Sequence, residues 1–197
     1  NWWTGDEVPK QPFFGYANFT VSHESQVRND GDKFAENTIR LTPAQRHDPA
    51  SMKLPPLWPD APEVRRELAN YYDLVTAVDY HASDVLAWLE KHGLAGNTIV
   101  VFFGDHGRGM PRYKRWCYDT GTHVPLIVRW PGKIGAGSVR TGLVEFVDLP
   151  ATMLALAGVK VPEDFDGIPF LTADGKETGE RKYVHSHHDY MVEAYDR

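Results

Sequence analysis

The sequence predicts an α/β fold, with a central mixed, largely parallel sheet and helices on both faces. Three observations predict it. A helical pattern runs from Asp60 to about His92. The apolar run Thr98-Ile99-Val100-Val101-Phe102-Phe103 comes directly after it, β-branched and aromatic as a buried strand requires. A second such run, Val124-Pro125-Leu126-Ile127-Val128-Arg129-Trp130, comes shortly after. A long helix feeding a buried strand is an α/β unit.

From the N-terminus, Pro12 to Val21 is aromatic-rich and apolar, and predicts a buried strand ending near His23. Asn18-Phe19-Thr20 inside it matches a glycosylation sequon, which burial would keep from use. Residues 28–59 are polar and punctuated by proline, which predicts a loop. Asp60 suits a helix cap, and Pro62 falls in the first turn. Val64, Leu68, Tyr71, Val75, Val78, Ala82, Val85 and Leu89 then recur at spacings of three and four, one apolar face of a helix that Gly93 stops. Pro125 sits near the start of its strand, where proline is tolerated, and Pro131-Gly132-Lys133 turns the chain. Val139–Val147 predicts a further strand. Asp148 suits the cap of a short helix through Ala157, stopped by Gly158. A last short strand is expected at Tyr183–His185, in a loop-rich segment.

The 197 residues suffice for a real core. With 42% hydrophobic and 24% charged residues, the composition is that of a globular chain and not a disordered one. A net charge of −6 argues against a general nucleic-acid binder. No apolar run approaches the roughly 20 residues of a membrane helix, and no signal peptide is visible at the N-terminus. The lone Cys117 excludes an internal disulfide, leaves the redox compartment open, and is expected to be a small packing residue beside Trp116. Asn1 is not an initiator methionine, so further residues are expected upstream.

The chemistry concentrates around Gly104-Asp105-His106-Gly107, at the carboxyl end of the first strand. In open α/β sheets ligands sit outside such strand ends. An ionised Asp offers oxygen and a neutral His offers nitrogen, and adjacent residues in a sharp turn can reach one ion. A simple turn, with Asp capping the next segment, accounts for the pair about as well. Arg108, Arg112, Lys114 and Arg115 lie close behind, and four cations suit a tetrahedral oxyanion such as sulfate or phosphate. A solvated basic loop is the plainer alternative. His23, at the end of the first apolar run, could donate a proton or touch an anion. His185, His187 and His188 have a spacing compatible with a metal, and equally with a polar edge.

Taken in order, these pieces resemble the C-terminal part of the catalytic domain of sulfatases, in the alkaline-phosphatase-like superfamily. The matching stretches are Pro12-Phe13-Phe14 leading to His23, then Tyr71 to Asp79, Asn97 to Val100, Gly104 to Gly107, and Tyr118-Asp119-Thr120-Gly121-Thr122-His123-Val124-Pro125 through Lys133. They cover residues 12–169. The run around Phe19–Ser25 is most similar to the heparan N-sulfatase branch.

The resemblance implies a three-layer α/β/α sandwich, incomplete in this chain. Residues 1–170 would be the C-terminal portion of the catalytic domain, and 171–197 the start of a C-terminal subdomain or edge region. It implies that Asp105 and His106 bind one divalent cation, usually Ca2+, although many relatives carry Asn where His106 stands. Lys114 and His23 would be catalytic, meeting the sulfate and its leaving atom, and Arg108 would bind substrate. The substrate would be a sulfated small molecule or glycan, and the protein exported or lysosomal. Sulfatases use a formylglycine made from Cys or Ser in a C/S-x-P-x-R motif, and this chain has no such motif. Thr42-Pro43-Ala44-Gln45-Arg46 has the wrong spacing and first residue. The nucleophile and the remaining metal ligands are therefore expected in an N-terminal half of the same protein. An isolated segment would expose an apolar sheet edge. Two other functions fit less closely: a two-zinc phosphodiesterase or phosphatase of the same superfamily, and a non-catalytic module keeping the scaffold.

Overall fold

The computed structural model describes residues 2–29, 31–178 and 181–188. The chain falls into two units: Asn1–Ala95 with Arg108–Lys114, and Gly96–Gly107 with Arg115–Arg197.

Among the described residues the first unit carries three α-helices: α1 (Glu24–Val27), α2 (Asp32–Asn37) and α3 (Pro62–Lys91). Helix α3 begins one residue later than its expected cap allows. Ala61 holds the cap position, while Asp60 accepts two hydrogen bonds from the Arg65 guanidinium at 2.6 and 2.8 Å. A charged partner five residues on outcompetes the bare amides of the helix end. The helix ends as expected. Gly93 takes φ +68°, its amide bonds the Glu90 carbonyl, and the Leu94 amide reaches back to Leu89. That pattern needs a left-handed residue, which glycine adopts without a Cβ penalty.

The buried face of α3 is Leu68, Ala69, Asp73, Leu74, Ala77, Val78, Trp88 and Leu89. It is rotated from the predicted stripe, for Val75 is 40% exposed and Asp73 points inward. Asp73 tolerates this because it is fully engaged. Its carboxylate accepts from Arg46 at 3.1 Å, from the His47 amide at 2.9 Å, and meets His47 Nδ1 at 2.9 Å. Arg46 also donates to the hydroxyl and carbonyl of the fully buried Thr38. Residues 28–59, expected as loop, instead carry α2, and the segment after it is strapped onto α3. The core of this unit is Val27, Leu68, Leu74 and Met110, with Phe34, Trp58, Tyr71 and Tyr113 packed around it. Full burial of each leucine stabilises by about 1.5–3 kcal/mol.

The strand expected over residues 12–21 does not form. Phe14 and Tyr16 are exposed, and Asn18 is exposed too, so burial does not shield its sequon. Extended backbone becomes a strand only against a partner ladder, and none meets it among the described residues. Phe19 instead lies edge-on to Trp3 and stacks on His81.

The second unit contains β1 (Val100–Phe103), α4 (Asp119–Thr122), β2 (Leu126–Arg129) and α5 (Asp148–Leu156). The two strands pair antiparallel, Val100 opposite Arg129 and Phe103 opposite Leu126. No parallel pair occurs among the described residues. Ile127 of β2 is 60% exposed. Val139–Val147 is not a strand, with Val139, Leu143, Phe146 and Val147 exposed, and Tyr183–His185 makes no ladder. Helix α5 ends like α3, with Gly158 at φ +74° and the Val159 amide on the Leu154 carbonyl.

Asp148 opens α5 and is not its cap. Its buried carboxylate accepts from the Glu145 and Ile168 amides, each at 2.8 Å, and from Arg181 at 2.5 and 3.0 Å. Burial alone would raise its pKa, but the bonds from Arg181 and the two amides outweigh this and hold it below the usual carboxylate range. Three chain segments thus converge on one charge.

Candidate functional site

Strand β1 delivers the chain into a tight turn. The Gly104 amide bonds the Pro125 carbonyl, and the Gly107 amide bonds the Gly121 carbonyl at 2.9 Å. A Cβ at Gly107 would fall on the Thr120 carbonyl oxygen and lie 2.8 Å from Gly121 Cα. Only glycine fits there, so residues 105 and 106 are held at the strand end by backbone on both sides.

Asp105 lies at this rim with its side chain 81% exposed. One of its oxygens accepts from the His106 amide at 3.0 Å, and the other lies 3.4 Å from His106 Nε2. His106 Nδ1 is 2.7 Å from the Gly107 carbonyl. A carbonyl only accepts, so Nδ1 carries a proton, and Nε2 is the nitrogen turned toward Asp105. The donor set suits a divalent cation in part. One oxygen and one nitrogen at this separation can share an ion at ordinary ligand distances of about 2.0–2.6 Å. A full shell takes roughly four to eight donors, so these two need company. No cluster of three or more His, Cys, Asp or Glu able to hold a metal occurs among the described residues.

His23 and Lys114 come together in the other unit. His23 caps α1, and its Nδ1 is 2.9 Å from the Ser25 hydroxyl and 3.3 Å from the Ser25 amide. Its Nε2 is 3.2 Å from Lys114 Nζ. The ring thus meets Ser25 through Nδ1, which accepts from the Ser25 amide, and the Lys114 ammonium through Nε2. Lys114 is fixed by its own loop, where the Met110 and Lys114 amides both bond the Arg108 carbonyl. Arg112 and Arg115 flank it at φ +68°, a left-handed conformation that non-glycine residues rarely adopt. The sequence did not single out Glu24. Its Oε1 lies 3.5 Å from Lys114 Nζ, with both side chains mostly buried.

Arg108 is held by rings. Its guanidinium lies 3.9 Å from the centroid of Tyr113, 5.3 Å from Trp58 and 5.9 Å from Tyr71, and it donates to the Tyr113 hydroxyl. Its Nε is buried with no hydrogen-bond partner. Burial raises the Tyr71 phenol pKa, and the Arg108 charge offsets only part of that. Tyr71 is a neutral wall to this cation.

The structure therefore brings His23 and Lys114 together with Arg108 in the same unit, and pairs Asp105 with His106 in the other. His185 lies against Glu145, and no metal cluster forms around it among the described residues. Cys117 is exposed and is not the packing residue expected. Trp116 stacks on Tyr118 instead, which leaves the thiol outside.

A family model described as Sulfatase matches residues 3–159. An ulvan-active sulfatase of Formosa agariphila is 33% identical, the match covering 89% of this chain and 33% of that protein. The chain spans 24–37% of the length of the first curated relatives it matches. Among solved structures, BT4656 in complex with its substrate D-glucosamine-2-N,6-O-disulfate is similar with TM-score 0.56 and 34% identity, over 64% of this chain and 27% of that one. A phosphonate monoester hydrolase from Silicibacter pomeroyi is similar with TM-score 0.55 and 31% identity, over 84% and 31%. These neighbours are of the alkaline-phosphatase-like fold, of which the β1–β2 pair and its helices are a part.

Proposed function

Because this chain belongs to the sulfatase family, we propose that it is the C-terminal portion of a catalytic domain that hydrolyses sulfate esters or sulfamates of carbohydrates. The observation that carries this reading is the Lys114–His23 pair, an ammonium 3.2 Å from an imidazole nitrogen, in a chain that also presents Asp105 and His106 at a strand end. Sulfated-sugar chemistry is supported by the relative described as ulvan-active and by the neighbour solved with a glucosamine disulfate.

Asp105 and His106 would hold one divalent cation, calcium in this reading, through Asp105 oxygen and His106 Nε2. The cation would supply positive charge at the sulfate oxygens, and a formylglycine outside these residues the attacking oxygen. Lys114 donates N–H to the anion and offsets its charge as the bond to sulfur lengthens. His23, oriented by Ser25, would in its imidazolium form give the Nε2 proton to the departing oxygen or nitrogen and be left as neutral imidazole. Arg108 adds fixed positive charge, its buried Nε a donor still to be used. Tyr71, Trp58 and Tyr113 keep that guanidinium from swinging. An exported or lysosomal setting is part of the same proposal.

A second reading rests on the phosphonate monoester hydrolase neighbour and on His106, a ligand type that suits zinc. The experiment is an assay of the full-length protein on a chromogenic sulfate ester and on glucosamine sulfates, with metal analysis. One calcium per chain, sulfate release, and its loss in Lys114→Ala are expected. Two zinc ions with phosphoester turnover, or full sulfatase activity in an Asp105→Asn/Lys114→Ala double variant, would overturn it.

A further inference from the structure

We infer that Glu24 is the positioning residue for Lys114, an inference that rests on the sulfatase reading for its catalytic consequence but on geometry for its substance. Glu24 comes directly after His23 and opens α1. Its Oε1 lies 3.5 Å from Lys114 Nζ, and the two side chains are only 15% and 17% exposed. His23 Nε2 sits 3.2 Å from the same ammonium. The ammonium is thus held between two neighbouring side chains of one short helix turn. An unrestrained lysine has a flexible four-carbon stem and many rotamers. A carboxylate on one side and an imidazole nitrogen on the other select among them before any substrate arrives.

A second observation points to the same role. Gly109 lies directly on Glu24. A Cβ at Gly109 would fall on Glu24 Cβ and stand 2.7 Å from Glu24 Cα. The loop that carries Lys114 can press against α1 only because position 109 has no side chain. The missing Cβ and the carboxylate act together: one sets the distance between the loop and the helix, the other engages the loop's cation. Glu24 reaches Lys114 and need not touch substrate, which makes it a positioning residue. Its charge has a further effect. It offsets the ammonium in the resting protein, so the cluster is not left with unbalanced positive charge while the anion site is empty.

The test uses the full-length protein, with Glu24→Gln, Glu24→Asp and Gly109→Ala beside the parent and Lys114→Ala. Acetylation of Lys114 by an amine-reactive ester, read by mass spectrometry, reports its restraint without reference to activity. Glu24→Gln and Gly109→Ala should acetylate at residue 114 at least about threefold faster than the parent, with other lysines unchanged. On a sulfate ester, Glu24→Gln should lower kcat about tenfold with KM within about twofold. Glu24→Asp, which keeps the charge, should recover part of kcat. A thermal melt of Glu24→Gln matching the parent separates this from general unfolding. Unchanged Lys114 acetylation in Glu24→Gln overturns the inference. If the parent releases no sulfate, the sulfatase reading fails instead, and the acetylation arm still decides the role of Glu24.

Discussion

Residues 105–107 and 108–114 are consecutive in the chain and fall in different units, and they are built differently. The lysine loop is closed. Lys114 has a carboxylate, an imidazole and a backbone-bonded loop around it, and its neighbour Arg108 is walled by three rings. The Asp-His turn is rigid in its backbone but open at its donors, with Asp105 largely exposed and Nε2 of His106 clear of its own backbone bond. The groups proposed to meet an anion are held by their own unit, while Asp105, proposed to meet a cation, stays largely exposed. The units beneath are built alike, each tying a loop to a helix through one buried carboxylate, Asp73 in one and Asp148 in the other.

Removing those anchors should have the largest effect and tests the likeness. Asp148→Ala leaves Arg181 facing a void where the charge was, and breaking a buried pair costs about 3–5 kcal/mol. Asp73→Ala should cost less, since its partners Arg46 and His47 are about one-third exposed and regain water. Thermal melts of both variants check the order, and equal losses would break it.

Next comes the open turn. Asp105→Ala should weaken divalent-metal binding by at least the roughly 10–100-fold that changes around a metal's ligands cost. The melting temperature should stay within about 2 °C in chelator, because an 81% exposed carboxylate has little to do with packing. Calorimetric metal titration reads the first effect, and a large fall in apo stability would contradict the second.

Acid should act on Asp148 over a narrow window. Its folded pKa is lowered, so it stabilises the fold above the unfolded value of about 3.9 and loses that contribution as pH falls through the folded value. Stability measured from pH 6 downward should therefore decline below about pH 4, and less steeply in Asp148→Asn. Asp174, held at about 2 by Lys176 and Thr172, titrates in the same direction but is fully exposed and adds little.

The smallest effect concerns Arg112. Left-handed backbone costs a non-glycine residue about 1–2 kcal/mol, and glycine returns part of that as unfolded-state entropy. Arg112→Gly should raise stability by about 0.5 kcal/mol, read from a denaturant midpoint. A loss would mean that the side chain, and not the loop path, holds this segment.

The elements that could be foreseen are those fixed by local physics. Helix α3 and its stop at Gly93 follow from spacing and one left-handed residue. Strands β1 and β2 follow from composition, within two residues at each end. The Asp105–His106 turn follows from the flanking glycines. The expectations that failed depended on partners distant in sequence. Residues 12–21 and 139–147 have strand composition but meet no ladder among the described residues. Asp60 prefers Arg65 to the helix end, and Asp148 prefers Arg181 and two amides to capping. Glu24 was illegible because its meaning lies in Gly109 and Lys114, far along the chain, and no local pattern encodes that contact. Asp73 left one trace, a carboxylate at helical spacing from Ala69 and Ala77, which could have marked a buried acceptor.

The two proposed roles are separable, Lys114 acting on the sulfate and Asp105 on the divalent cation. The direct test measures metal content and sulfate-ester turnover in full-length Lys114→Ala and Asp105→Ala side by side. The account predicts that Lys114→Ala keeps its metal and loses about 100–1,000-fold in kcat, while Asp105→Ala loses both metal and turnover. Parent-level turnover in Lys114→Ala, or full metal content in Asp105→Ala, would contradict it.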